Sequence, residues 1–287
     1  MKKALTAFRG KLRSYKGQPV SLALFISVCF AALITMTALL FLIGYILIKG
    51  IPHLEPSLFA WVYNSENVSL TPALINTVFM TVLSLLTAVP IGIGAAVYLV
   101  EYAKRGSKLV EAVRITAETL SGIPSIVYGL FGALFFVKYL GLGLSLLSGA
   151  LTLSIMILPL IMRTAEEALI AVPDSYREGS FGLGAGRLRT VFRVVLPSAV
   201  PGILSGVILS IGRVVGESAA LIFTAGTVAE VAKSPLDSAR TLSVHMYTIS
   251  GEGLYIDQTY ATAVVLLLVV IVINALPGIA AKRLSKV

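Results

Sequence analysis

Six long stretches of this 287-residue chain contain no charged residue, and they constrain its fold more than any other feature. They are Leu22–Ile48, Thr71–Val100, Thr119–Val137, Tyr139–Met162, Val194–Gly212 and Gln258–Ala281. A helix of about 20 apolar residues crosses a hydrocarbon core roughly 30 Å thick. Charged residues make up only 13% of the chain, whereas a soluble domain carries about 25%. The sequence therefore predicts an all-α integral membrane protein with six transmembrane helices.

The basic residues indicate how these helices are oriented. Of the 23 lysines and arginines, eighteen lie before the first stretch, between 101 and 114, between 163 and 193, or after 281. The loops on the other side carry Lys49, Lys138, Lys233 and Arg240, and Arg213 lies within a predicted span. Because lysine and arginine accumulate in cytoplasmic loops, we expect both termini in the cytoplasm, with the chain in a bacterial inner membrane.

The apolar stretches also suggest how the chain is organised. We expect a basic N-terminal segment at 1–21, a first helix at 22–48, a membrane-spanning core at 71–281 and a basic C-terminal segment at 282–287. The first apolar run is longer than the 7–15 residues of a signal-peptide core, so we expect an uncleaved anchor. Cys29 is the single cysteine and the two histidines are isolated, so no disulfide and no metal site is predicted.

The loop between the fourth and fifth stretches, at 163–193, is the longest on the basic side. Its pattern predicts short helices at 164–171 and at 175–181, with Asp174 as N-cap of the second. Gly182, Gly184 and Gly186 should end that helix before the chain returns to the membrane.

This loop carries a spaced motif. Glu178-Gly179-Ser180 is followed by Gly184 after three residues, and by Val194, Leu196 and Pro197 after nine more. The spacing resembles the EAA motif, E-A-A-x3-G-x9-I-x-L-P, of permease subunits in binding-protein-dependent ABC importers. In this chain Gly179 and Ser180 replace the two alanines, and Val194 replaces isoleucine.

The resemblance implies a type I (MetI-like) ABC permease fold, in which the coupling loop at 163–197 docks on an ATPase subunit. The residues implied in docking are Glu178, Gly179, Ser180, Gly184, Leu196 and Pro197. The alternative is an amphipathic loop that rests on lipid headgroups through Arg187, Arg189 and Arg193.

Three further stretches resemble the phosphate-specific permeases: Pro90–Tyr102, Ser121–Gly132 and Arg213–Ala225. The last is similar to a pattern of the A-type (PstA) subunits, with Ser218 and Ala220 in place of threonine and proline. The resemblance implies phosphate import by alternating access. It also implies four kinds of partner: a PstC-like second permease, two PstB-like ATPase subunits, a PstS-like external phosphate-binding protein, and the surrounding lipid.

Arg213 and Glu217 stand four residues apart, which on a helix places them on one face within reach of each other. Charges at membrane depth are costly and usually face a pathway or a partner. We therefore interpret Arg213 and Glu217, with Ser218, as part of a translocation pathway or its gate. The alternative is an internal ion pair that only holds packed helices.

Pro124 lies inside the third apolar stretch and should kink its helix there. A proline leaves the carbonyl of an earlier residue without its helical donor, and the hydroxyl of Ser121 or Ser125 could satisfy it. Such a break can line a cavity or serve as a packing device, and the sequence does not decide between the two.

Several motifs are missing from the sequence. There is no Walker A motif, so the chain is not expected to bind ATP, and no convergent catalytic set indicates an enzyme. No cofactor is expected in this chain, because ATP and magnesium would be bound by the partner subunits. Nucleic-acid binding is not expected either, since the orientation of the helices explains the positive charge. Two other functions remain open: a permease for another solute such as sulfate or molybdate, and a stand-alone secondary transporter.

Overall fold

The computed structural model describes residues 18–104 and 106–284, with side chains described as far as residue 275. The helices are α1 Pro19–Gly50, α2 Thr71–Val97, α3 Lys108–Ser121, α4 Ser125–Gly132, α5 Leu146–Ile170, α6 Asp174–Gly182, α7 Arg187–Thr190, α8 Leu196–Gly216, α9 Ala219–Thr224, α10 Leu242–Glu252 and α11 Ile256–Leu284. Short 3-10 turns follow α1 at Ile51–His53 and Pro56–Phe59. π-helical turns extend α2 at Tyr98–Tyr102, α4 at Ala133–Tyr139 and α7 at Val191–Val195. The described residues form no strand, which confirms the predicted all-α class.

Two predicted segments fall largely outside the described residues. The basic N-terminal segment was placed at 1–21, of which 1–17 are not described, and the C-terminal segment at 282–287 is described only through the end of α11.

Five helices of the described chain are long and apolar enough to span a membrane. They are Pro19–His53, Thr71–Tyr102, Leu146–Ile170, Arg187–Gly216 and Ile256–Ala275. A sixth span exists if α3 and α4, with its π-helical extension, are taken together. The six spans predicted from hydropathy correspond to these five helices and the bent pair.

The third predicted span, Thr119–Val137, is wrong as a single helix. α3 ends at Ser121 and α4 begins at Ser125, and the two helical segments meet at 102°. Pro124 precedes α4 with ψ at 141°, an extended conformation that cannot continue a helix. The predicted break at Pro124 is therefore present, but it separates two helices instead of kinking one.

Three bounds also differ from prediction. The fourth span begins at Leu146, not Tyr139, because α4 continues to Tyr139 and a loop with Gly141 and Gly143 at positive φ reverses the chain. It then runs on to Ile170, beyond the membrane stretch. The fifth predicted span, Val194–Gly212, corresponds to α8, which continues to Gly216.

The core is built by α2, α5 and α8, with α9 packed against α4 and α5. Its centre holds fully buried apolar side chains, among them Met80, Leu153, Ile157 and Leu221. Close approach requires glycine where α4 crosses α9, because a Cβ at Gly129 would lie 2.7 Å from the Cα of Ala220. This packing holds the bend between α3 and α4 against the end of α8.

α1 lies at the edge of this bundle. Gly50 is the one residue of α1 that is buried, and a Cβ there would lie 2.6 Å from a methyl of Val264 on α11. The rings of Tyr45 and Tyr260 also meet edge to face, 5.8 Å apart. The remaining apolar surface of α1 is exposed, as expected for a helix surrounded by lipid.

The segment at 225–257 folds over one end of the core and contains α10. The Asn76 side chain of α2 donates to the carbonyls of Glu230 and Arg240 and accepts the N–H of Ala232, at 2.8, 3.3 and 3.0 Å. This end is called the outer end below, and the end that carries α6 is called the connector end.

Candidate functional site

The predicted loop at 163–197, here called the connector, is largely helical. Its first part continues α5 to Ile170, and its second part is α6. α6 begins after Pro173, which takes the N-cap position, so Asp174 lies in the first turn instead of capping the helix. Gly184 has φ at +82°, a conformation that favours glycine, and it turns the chain toward α7.

The motif residues occupy the exposed tip of the connector. α6 buries none of its residues, and Glu178, Gly179 and Gly184 are all exposed. Within the described chain, the side chain of Glu178 makes no hydrogen bond and no ion pair. Exposed apolar side chains lie near it in sequence, namely Tyr176, Phe181 and Leu183, and Leu183 is 90% exposed. Exposed apolar side chains grouped on an ordered helix are typical of a surface that docks on another protein.

The other motif residues connect this tip to the membrane helix. The hydroxyls of Ser180 and buried Thr190 are 2.8 Å apart, which ties α6 to α7. Leu196 and Pro197 open α8, where a proline is tolerated because the first N–H groups of a helix have no helical acceptor. The motif spacing therefore corresponds to one folded unit, from α6 to the start of α8.

A buried ion pair that the sequence analysis missed holds the connector to the bundle. The Nε and Nη2 groups of Arg177 donate to Oε1 of Glu101, at 3.1 and 2.7 Å. The Arg177 side chain is 14% exposed and that of Glu101 is 8% exposed. The two residues are 76 positions apart in sequence, so no local pattern reveals the pair.

A second ion pair ties α3 to α5 nearby. The Nε of Arg114 donates to Oε1 of Glu166 at 2.8 Å. A cavity of about 730 Å³ separates the end of α2, α3 and the connector, and the side chains of Glu101, Arg114 and Arg177 line it. The guanidinium of Arg187 lies 5.2 Å from the ring centroid of Tyr102 at the same place. These charged contacts border an apolar cluster, in which Leu99, Leu169, Val172, Val191 and Val195 are buried.

The predicted contact between Arg213 and Glu217 is wrong. α8 ends at Gly216, and Glu217 is extended with ψ at 129°, so the two side chains do not share a helix face. The buried carboxylate of Glu217 accepts a hydrogen bond from the N–H of Ala220 at 3.0 Å. The backbone carbonyl of Glu217 accepts one from the hydroxyl of Ser243. No ion pair joins Arg213 and Glu217 in the described chain. Glu217 therefore accepts a hydrogen bond from the first turn of α9 and connects this turn to α10.

Ser218 lies between α8 and α9. It occupies the N-cap position of α9, but its side chain makes no capping bond. Its carbonyl accepts the N–H groups of Leu221 and Ile222, both at 3.1 Å. The residue is half-buried at the junction of α8 and α9.

Arg213 lies in the last turn of α8. Its half-buried guanidinium is close enough to Tyr128 of α4 for an electrostatic interaction. The Tyr128 hydroxyl donates to the carbonyl of Leu120 at 2.7 Å, across the bend. Ser121 donates instead to Ala117 at 2.9 Å. A tyrosine thus satisfies the carbonyl at the break, where the sequence suggested Ser121 or Ser125.

Exposed Pro124 and half-buried Ser125 thus lie at the bend, and half-buried Arg213 at the end of α8 lies within electrostatic range of Tyr128 in the helix that follows it. In the described residues, no group of three or more histidine, cysteine, aspartate or glutamate side chains could hold a metal ion.

The fold and the connector define a class of protein. A family model described as "binding-protein-dependent transport system inner membrane component" matches residues 88–286. This match spans more than half of the chain, so the chain belongs to this family of ABC transporter permeases. It is a multi-pass inner membrane protein and a transport subunit, not a catalytic domain.

Within that family the chain is of the PstA type. It is 34% identical over 199 residues to the phosphate transport system permease protein PstA of Xylella fastidiosa strain Temecula1, over 69% of each chain. It is 41% identical over 154 residues to PstA 1 of Mycobacterium tuberculosis strain CDC 1551, over 54% of this chain and 50% of the relative. It is also 35% identical to the probable ABC transporter permease protein YqgI of Bacillus subtilis, over 79% of this chain and 82% of YqgI.

Solved structures confirm the predicted type I (MetI-like) permease fold. The chain superposes on a bacterial ABC transporter involved in the import of alginate with a TM-score of 0.63, over 94% of this chain and 98% of that chain. It superposes on the MetNI methionine ABC transporter with a TM-score of 0.56, over 84% and 96%. Identities of 17% and 19% limit both likenesses to the fold.

Proposed function

We propose that this chain is the A-type permease subunit of an ABC importer for inorganic phosphate. The observation that carries the coupling part is the connector, whose tip presents exposed apolar side chains and a Glu178 carboxylate without an ion-pair partner among the described residues. The PstA relatives support phosphate as the substrate.

The proposed assembly contains a second, PstC-like permease, two PstB-like ATPase subunits and a PstS-like external phosphate-binding protein. The ATPase subunits bind ATP and magnesium, and α6 docks on one of them. The connector end then faces the cytoplasm with both termini, in keeping with the distribution of basic residues along the sequence.

The proposed mechanism is alternating access. ATP binding closes the ATPase dimer and moves the docked connector, and the helices then open toward the binding protein. Phosphate enters beside Arg213, where a cation attracts the anion and the exposed bend at Pro124 leaves space. Hydrolysis returns the permease to the inward-facing state.

Uptake of radiolabelled phosphate into proteoliposomes that contain the complete complex tests this proposal. Glu178→Lys places a positive charge at the docking tip, and we expect it to lose both the ATPase subunits on co-purification and ATP-driven uptake. Glu252→Lys, an exposed acidic residue at the outer end, is the control and should retain the ATPase subunits. Arg213→Gln should lower uptake by about tenfold or more, with the complex intact.

Three results would contradict the proposal. Phosphate uptake by the wild type without ATP or partners would indicate a secondary transporter. Full competition by sulfate or molybdate would indicate another substrate. Retention of the ATPase subunits by Glu178→Lys would show that α6 is not the docking element.

A further inference from the structure

Arg177 has more hydrogen bonds to the bundle than any other described residue of α6. Besides the two bonds to Glu101, its Nη1 group donates to the carbonyl of Val172 at 2.8 Å and its Nη2 group to that of Leu169 at 3.0 Å. Nη1 also lies 3.2 Å from Oδ1 of Asp174. One side chain thus joins α6 both to the end of α5 and to the π-helical turn that ends α2.

The two carbonyls belong to the last turn of α5 and the residues after it. The carbonyls at a helix C-terminus have no helical donor and carry partial negative charge, so a cation is favourable there. Glu101 adds a full negative charge on the other side of the guanidinium. Arg177 therefore lies between two acceptor groups that belong to different membrane helices.

The apolar cluster of the connector end includes Val172, Val191 and Val195 on either side of α6, but no residue of α6 itself. α6 has no buried residue, and the cavity of about 730 Å³ opens between the connector and the end of α2. The Arg177–Glu101 pair bridges this gap. Without the pair, α6 would be attached mainly through its neighbours in sequence and through the bond between Ser180 and Thr190.

Such a buried pair contributes more to the orientation of the elements that it joins than to the free energy of unfolding. Removing two charges from water offsets most of their attraction, so buried ion pairs often add little net free energy. The planar guanidinium, however, binds its partners only in certain orientations, because its N–H groups form a rigid fork. Arg177 uses Nε and Nη2 for one carboxylate oxygen, which fixes the direction of α6 relative to α2.

We infer that Arg177 and Glu101 are positioning residues, which make the connector move as one body with α2 and α5. The inference rests on the proposed function, because it assigns a role in coupling ATP hydrolysis to transport. Glu178 and its apolar neighbours bind the ATPase subunit, whereas Arg177 passes the movement of that subunit to the membrane helices. Without the pair, the ATPase subunit still docks and hydrolyses ATP, but hydrolysis no longer drives transport.

The test measures phosphate transported per ATP hydrolysed in proteoliposomes that contain the complete complex. The variants are Arg177→Gln, Glu101→Gln and the double variant, with Arg163→Gln as the matched control. Arg163 pairs with Glu167 at 3.2 Å in the same connector, but both side chains are more than half exposed. Co-purification of the ATPase subunits is measured for every variant.

We expect Arg177→Gln and Glu101→Gln each to lower the ratio of phosphate transported to ATP hydrolysed roughly five- to tenfold, a usual scale for coupling between sites. The ATPase subunits should remain bound, and Arg163→Gln should keep the wild-type ratio. The double variant should be no worse than the poorer single variant, because both remove the same contact. Arg177→Lys should restore only part of the ratio, since an ammonium lacks the rigid fork.

Two outcomes would overturn the inference. One is a wild-type ratio in Glu101→Gln, which changes the charge with little change in shape. The other is loss of the ATPase subunits in both single variants, which would make the pair part of the docking surface. Absence of ATP-driven phosphate uptake in the wild type would instead refute the proposed function, and the two failures are therefore distinguishable.

Discussion

At the scale of single residues, His245 of α10 is fully buried at the outer end, outside the membrane-spanning segments. Its ring meets that of Tyr63 edge to face, and the guanidinium of Arg240 lies 4.4 Å from the Tyr63 centroid. Neither ring nitrogen of His245 has a hydrogen-bond partner in the described chain. Burial, and secondly the charge of Arg240, lower the pKa of His245 to about 3.

This pKa predicts that acid destabilises the fold. Between pH 6.5 and 3, an unfolded His245 binds a proton that the folded one does not, so the free energy of unfolding falls as the pH falls. From pH 6.5 to pH 5, this residue should contribute a loss of up to about 2 kcal/mol. His245→Phe keeps a ring against Tyr63 and should show a smaller difference in melting temperature between pH 7.5 and pH 5. Equal differences in variant and wild type would contradict the assigned pKa.

At the scale of helices, the crossing of α4 and α9 depends on the absence of a side chain at Gly129. A Cβ there would lie 2.7 Å from the Cα and 3.1 Å from the carbonyl oxygen of Ala220, and backbone atoms cannot rotate away. Gly129→Ala should therefore lower the free energy of unfolding of the complex by about 1–3 kcal/mol, as overpacking does.

The matched control for this crossing is Gly94→Ala on α2. Gly94 is also in a helix, but no atom lies within 4 Å of the position of its Cβ. Alanine is the better helix former, so this variant should melt at the wild-type temperature or slightly above it. Similar losses in both variants would mean that the two helices do not cross at Gly129.

The number of membrane-spanning helices could be predicted from the sequence, but the places where the chain turns could not. The number of spans followed from composition, because each helix that crosses lipid needs a long apolar run. The bend of 102° at Pro124 and the end of α8 at Gly216 did not follow, since hydropathy does not change where the chain turns.

The same limit applies to the candidate site. The exposed tip around Glu178 could be found because its residues are close in sequence and regularly spaced. The Arg177–Glu101 pair could not, because its members meet only when the connector folds back on the end of α2. The contact predicted between Arg213 and Glu217 assumed one continuous helix, and it was wrong for that reason.

At the scale of the whole molecule, the two ends of the bundle differ in their charged contacts. The connector end holds Arg114, Arg163 and Arg177 in ion pairs with glutamates. The outer end is covered by the 225–257 segment, which Asn76 holds through backbone bonds. If the bundle follows the positive-inside tendency, the connector end lies in the cytoplasm and the outer end faces the binding protein.

Cysteine labelling of whole cells tests this orientation. Cys29 lies in the apolar α1, so Cys29→Ala gives a background without thiols in this chain. Single cysteines are then placed at exposed positions of opposite ends, as Glu178→Cys in α6 and Glu66→Cys before α2. A thiol reagent that cannot cross membranes should label Glu66→Cys in intact cells, and Glu178→Cys only after the cells are opened. The reverse pattern would place the connector outside the cell, where no ATPase subunit could reach it, and would refute both the orientation and the proposed coupling.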